Sequence, residues 1–253
     1  MNIKTATHNG VATIEIARPE KKNALTMAMY DAMSNAIDAA AQDKAVRALL
    51  FTGQPGIFTS GNDLDDFMQR PPSGEDSPVF RFLNTLLGFE KPVVAAVTGA
   101  AVGVGTTMLL HCDLVYMADD AKLSMPFVAL GLVPEFASSL LVARAIGMRR
   151  AAEKLMLGDP IPAEQALDTG FVNAVLPPAE VLPHARRMAE RFNTLPPEAV
   201  RTTKRLMRSH DRDAVLAAMR EEGRIFAERL RSPEAQEAFQ AFFQKRKPDF
   251  SRF

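Results

Sequence analysis

Cysteine is nearly missing from this chain of 253 residues, net charge is missing altogether, and no apolar run is long. The single cysteine, Cys112, excludes an intrachain disulfide. It sits in the apolar run Met108-Leu109-Leu110-His111-Cys112, where a buried free thiol in a reducing compartment is the expected state. Thirty Lys and Arg cancel thirty Asp and Glu, so overall charge argues for neither nucleic acid nor membrane as a partner. The distribution is less even: residues 201–253 carry 13 cations and 8 anions, a balance of +5, which leaves −5 for residues 1–200. That basic tail reads as a solvated helical face, with phosphate contact as the alternative. No stretch approaches the ~20 apolar residues that cross a bilayer. The start, Met1-Asn2-Ile3-Lys4-Thr5, lacks a signal-peptide pattern, and the end, Ser251-Arg252-Phe253, lacks a peroxisomal address, so a cytoplasmic, bacterial setting is expected. Neither G-x-G-x-x-G nor G-x-x-x-x-G-K-[ST] occurs, and no Cys/His/Asp cluster has metal-ligand spacing; no nucleotide cofactor and no metal are expected. His111 and Asp113, with Ser138 and Ser139 later, suggest a hydrolase triad, but there is no G-x-S-x-G elbow.

What the chain does have is a large apolar inventory, 47% of its residues with 16 Phe and 13 Met, enough for a sizeable core. The segment Val11-Ala12-Thr13-Ile14-Glu15-Ile16-Ala17 alternates as a strand does and stops at Arg18-Pro19. Asn23 or Thr26 can cap a helix from about Met27 to Ala41. Buried strands are predicted at Val46–Gly53, Pro92–Gly99 and Asp113–Ala118, with helices over 62–69, 79–89, 103–111, 138–147, 149–157 and 163–169. Residues 71–78 read as a flexible loop. The repeated order of strand, turn and helix indicates an α/β fold with covered sheets. From Pro196 the pattern is almost wholly helical, so a boundary is placed near Leu195, separating 1–195 from a C-terminal helical region, 196–253.

Chemistry concentrates in three segments. Glu135 is a lone carboxylate among apolar and hydroxyl residues in Gly131-Leu132-Val133-Pro134-Glu135-Phe136-Ala137-Ser138-Ser139. Apolar neighbours should push its pKa upward; the competing reading is an acid at a helix N-terminus. Upstream lie two small-residue turns, Phe58-Thr59-Ser60-Gly61-Asn62-Asp63-Leu64 and Gly99-Ala100-Ala101-Val102-Gly103-Val104-Gly105. A strand-to-helix turn leaves N–H groups free for an oxyanion. Close helix–strand packing explains the second turn equally well, and Asp63 is most simply an N-cap.

Together these segments carry a resemblance. With Arg18-Pro19-Glu20-Lys21-Lys22-Asn23-Ala24-Leu25, Lys91-Pro92-Val93-Val94-Ala95-Ala96-Val97-Thr98-Gly99, Cys112-Asp113, the stretch Ala163–Val172 and Phe242-Phe243-Gln244-Lys245-Arg246-Lys247-Pro248, the chain resembles the crotonase superfamily, or enoyl-CoA hydratase/isomerase family, over about residues 3–250. The resemblance implies a spiral of ββα units with a C-terminal helical oligomerisation region, a homotrimer or hexamer, and an acyl-CoA thioester as substrate with no separate cofactor. It implies an oxyanion hole from the backbone N–H groups of Ser60 and Val104. The substrate is expected against Ser60, Gly61, Asn62, Asp63, Leu64, Gly103 and Phe127, and CoA near Lys21, Lys22, Ala24 and Lys245.

Family hydratases use two glutamates, and the aligned positions here are Thr107 and Phe127. Both carboxylates are absent. The run from Pro126 to Ser139 resembles instead the monofunctional 3-enoyl-CoA to 2-enoyl-CoA isomerases, in which the residue matching Glu135 is the base. The expected activity is therefore a double-bond shift in fatty acid metabolism. An enoyl-CoA hydratase with a relocated base and a non-catalytic acyl-CoA-binding module are the alternatives.

Overall fold

The computed structural model describes residues 2–70 and 77–253. In chain order the strands are β1 (Ile3–His8), β2 (Val11–Ile16), β3 (Ala48–Thr52), β4 (Ile57–Thr59), β5 (Val93–Val97), β6 (Ala100–Val102), β7 (Leu114–Ala118), β8 (Lys122–Ser124), β9 (Ile161–Pro162) and β10 (Ala174–Leu176). The helices are α1 (Met27–Gln42), α2 (Leu64–Gln69), α3 (Pro78–Gly88), α4 (Val104–Thr107), α5 (Ser138–Ile146), α6 (Met148–Met156), α7 (Ala163–Asp168), α8 (Pro178–Glu190), α9 (Pro197–Ser209), α10 (Arg212–Arg229) and α11 (Pro233–Phe243).

The central sheet has the order β1-β2-β3-β5-β7-β10, with only the β1–β2 pair antiparallel. Its middle strands β3 and β5 are buried at every position, as parallel strands covered on both faces must be. Each of β3, β5 and β7 is followed at once by a three-residue strand of a second sheet, β4-β6-β8-β9. The chain thus climbs in repeated ββα steps, the crotonase spiral that the motifs imply.

This second sheet corrects the sequence reading. Residues 57–59 and 100–102 are parallel strands before they are turns. Three residues are too few to show an alternation, so only the glycines at their ends were visible. The helix expected over 103–111 is divided, with α4 giving way to a 3-10 turn at Met108–His111. Strand β10 and helix α8 carried no reading. Of the loop expected at 71–78, residues 71–76 lie outside the described residues.

Local chemistry explains the helix starts. Thr26 caps α1 through its hydroxyl, which accepts from the Met29 N–H, and Asp63 caps α2 by accepting from Asp66. Ser77 caps α3, with Pro78 in the first position, where no N–H is needed. Helix α9 is fastened to the sheet by Asp113, whose carboxylate accepts from the Val93 N–H and pairs with Lys204 and Arg208. Helix α10 lies against α5 and α11 against the turn Val128–Leu130. None of the described helices is long and apolar enough to cross a membrane.

Candidate active site

The site forms where the ends of β4 and β6 abut. After β4 the chain turns through Ser60 and Gly61 into α2. Gly61 has φ +87, and a Cβ there would stand 2.9 Å from the Val102 carbonyl oxygen, so only glycine lets the two turns touch. After β6, Gly103 (φ 57, ψ −121) takes a backbone shape essentially reserved for glycine and swings the chain into α4. Val104 is then the first residue of a helix, whose N–H has no intrahelical acceptor.

The N–H groups of the two turns differ in what they are already bonded to. The Ser60 N–H donates to Lys22 O at 3.0 Å, and the Gly61 N–H donates to the Thr59 hydroxyl at 3.1 Å. Neither is free to hold a substrate oxygen. Among the described residues the N–H groups of Asn62 and Val104 have no acceptor. Sequence position alone did not distinguish Ser60 from Asn62, because the donor that is used up depends on Lys22, 38 residues earlier in the chain.

Two cavities meet there. The outer cleft, about 690 Å³, is lined by Lys21, Lys22 and Ala24, by Ser60 to Leu64, and by Gly103, Val104 and Phe127. Lys245, beyond the end of α11, lines neither cavity. The inner cavity, about 40 Å³, is walled by Tyr30, Leu83, Phe136 and Met219 and contains Glu135. Asn62, Phe67, Val104 and Phe226 border both.

Among the described residues lining the inner cavity, Glu135 is the sole carboxylate. In the outer cleft Asp63 is committed to Arg18 at 2.6 Å and to its capping role, while Glu20 and Asp65 lie on the same rim. Burial pushes the Glu135 pKa up to about 8; the Thr107 hydroxyl, donating to its Oε1 at 2.6 Å, opposes that rise, and the charge of Glu222 adds to it. Thr107, expected only as a missing acid, is thus the partner of the remaining one. The Tyr30 hydroxyl donates to Asn62 Oδ1 at 2.5 Å, and burial together with Glu135 holds its pKa well above the usual phenol range, so it stays a donor. Nothing in the sequence around Tyr30 signalled this contact.

The triad is dismantled by the same geometry. His111 is pushed down to about 4 by burial, is neutral, and donates Nε2–H to Phe136 O at 2.9 Å. Cys112 is pushed up to about 12 by burial and is inert as a nucleophile.

Residues 6–252 match the enoyl-CoA hydratase/isomerase family. Enoyl-CoA delta isomerase 2 of Rattus norvegicus is 34% identical over 97% of this chain, which spans 64% of that longer protein. The 2,3-dehydroadipyl-CoA hydratase of Escherichia coli strain K12 is 30% identical, covering 95% of this chain and 94% of its own. Among solved structures, Pseudomonas aeruginosa OdaA is 52% identical and superposes with a TM-score of 0.93, over 95% of this chain and 98% of its own. With the spiral fold, the paired turns and the whole-length match all in agreement, the chain belongs to the enoyl-CoA hydratase/isomerase family, the crotonase superfamily.

Proposed function

We propose that this protein moves the double bond of a 3-enoyl-CoA into conjugation with the thioester, giving the 2-enoyl-CoA. The observation that carries this reading is the single carboxylate of the inner cavity, held by Thr107 among apolar walls. Glu135 takes a proton from C2. The electron pair moves onto the thioester oxygen, which receives hydrogen bonds from the N–H groups of Asn62 and Val104. The protonated Glu135 returns the proton at C4, and the double bond settles between C2 and C3. No water enters the balance, and an apolar cavity helps by excluding it. Lys21 and Lys22 on the rim of the outer cleft suit the CoA phosphates. Phe127, on the wall of that cleft, supplies no second acid to a water.

Hydratase stands in the names of at least as many relatives as isomerase does, and this favours a second reading, enoyl-CoA hydratase. Purified protein given a 3-enoyl-CoA and, separately, a 2-enoyl-CoA separates the readings. Conjugation of the first with the second left intact supports isomerisation. Loss of the second to a 3-hydroxyacyl thioester supports hydration, and binding without turnover supports a non-catalytic module. The proposal keeps the homotrimer or hexamer, for which the exposed Met148, Met156 and Leu157 of the α6 region supply apolar surface. It also keeps the division at residue 195, with the addition that α10 contributes Met219 and Phe226 to the inner cavity.

A base whose pKa is raised to about 8 must be ionised to act, so kcat/KM should climb with pH and level off above about 8. Thr107→Val keeps the shape and removes the hydrogen bond that opposes the rise. The rising limb of the profile should then lie at higher pH, and activity at neutral pH should fall about tenfold for every pH unit the limb moves. An unmoved limb would exclude Thr107 as the partner of the base.

A further inference from the structure

Directly after Glu135 the backbone takes a costly path. Phe136 (φ 60) and Ala137 (φ 57, ψ 19) are both left-handed, and neither is glycine. Each such residue costs about 1–2 kcal/mol, and such a shape persists only where its surroundings over-determine it. Both are buried in the core. Because the pair adjoins Glu135, its shape sets where that side chain points.

Two braces hold it. From the 3-10 turn, the His111 ring stacks on the Phe136 ring with centroids 3.7 Å apart, and its Nε2–H holds the Phe136 carbonyl. From α10, the Glu222 carboxylate accepts from the Ala137 N–H at 2.6 Å, from the Ser139 N–H at 2.9 Å and from the Ser139 hydroxyl. Ala137 has no side chain to cap α5, and Glu222 provides the cap from more than 80 residues away. Glu222 is itself buried and lines neither cavity.

We propose that Glu222 is a positioning residue for Glu135, fixing the left-handed Phe136–Ala137 turn through its carboxylate while setting a second negative charge behind the base. This inference rests on the reading of Glu135 as the base. Among the described residues the other polar groups beside Glu135 are the Thr107 hydroxyl from α4, the Tyr30 phenol from α1, which stays protonated, and the uncharged Asn62 amide that accepts from it. Glu222 supplies the nearby charge: burial raises its own pKa, and the hydrogen bonds from Ser139 and Ala137 to its carboxylate oppose that rise. It accounts for part of the upward shift of Glu135, after burial.

Glu222→Gln tests both halves. The amide oxygen can accept from one N–H, but the NH2 group then faces the other donor, so the turn loosens. A misplacement of this kind should lower kcat on a 3-enoyl-CoA by about 10- to 100-fold with KM nearly constant. With the neighbouring charge gone, the Glu135 titration should move to lower pH; it is read without substrate as a carboxyl infrared difference against Glu135→Gln. Ala137→Gly added to Glu222→Gln lets the backbone stay left-handed without strain, and should restore most of kcat while the titration stays lowered. The same glycine background supplies folded protein should Glu222→Gln alone not fold. An unshifted titration, or a kcat that glycine does not restore, overturns the proposal. A wild-type protein inactive on 3-enoyl-CoA overturns the proposed function instead, and the titration still decides the charge effect.

Discussion

Glu135→Gln should abolish isomerisation and at the same time make the protein harder to unfold. The amide keeps the volume of the side chain and can still accept from Thr107, so the cavity keeps its shape. It cannot take up and return a proton, and loss of a positioned general base costs roughly 10²- to 10⁴-fold in rate. The stability effect follows from linkage. In the folded protein Glu135 titrates at about 8, against 4.5 for a free glutamate. Between those values the folded state binds the proton and the unfolded chain does not, so stability falls as pH rises through that window. By pH 8 the penalty is on the order of 3 kcal/mol, allowing for residual solvent contact. The glutamine variant carries no such penalty. Its advantage over the wild type should be near zero at pH 4.5 and widen steadily to pH 8, as measured by urea unfolding at several pH values. Parallel stability profiles for the two proteins would mean that Glu135 is not shielded from water in the inner cavity, and undiminished turnover would remove it as the base. A residue that acts at the expense of stability is the usual signature of a working site.

The second large effect is expected at Gly61, which touches no substrate atom through a side chain. An added methyl there meets the Val102 carbonyl oxygen at 2.9 Å, on a residue whose φ of +87 already disfavours any Cβ. Gly61→Ala should therefore push the turn after β4 away from the turn after β6. The N–H of Asn62 moves with it, and the two N–H groups proposed to hold the thioester oxygen are no longer kept together. Loss of one oxyanion donor is worth about 10²- to 10³-fold in kcat. Circular dichroism should remain close to wild type, because the central sheet does not depend on this contact. Gly88→Ala is the control: nothing lies within 4 Å of the added methyl and the position is helical, so activity should not change. Equal activity in the two variants would rule out the abutting turns as the frame of the oxyanion hole.

The capping of α2 by Asp63, and of α1 by Thr26 as one of two candidates with Asn23, was legible because a cap is a local event between residues three apart. The covered strands β3 and β5 were legible because burial on both faces leaves an unbroken apolar run. The three-residue strands of the second sheet were not, since their pairing joins segments such as 57–59 and 100–102 that share no local pattern. The choice of Asn62 over Ser60 as a free donor turned on the Lys22 carbonyl, and the hold of Glu222 on Ala137 turned on a helix 85 residues further along the chain.

The order of residues determined by itself the α/β class, the family resemblance, the candidacy of Glu135 and the absence of both hydratase carboxylates. Those are properties of single positions and short periods, which a linear chain carries without folding. The apolar neighbours of Glu135 gave the direction of its shift, but the tertiary structure alone decided the extent of that shift, the bond to Thr107, the identity of the free N–H groups and the bracing of a left-handed turn. Each of these depends on which distant groups exclude water from, or donate a hydrogen bond to, the same few atoms, and only the packed chain brings them within reach.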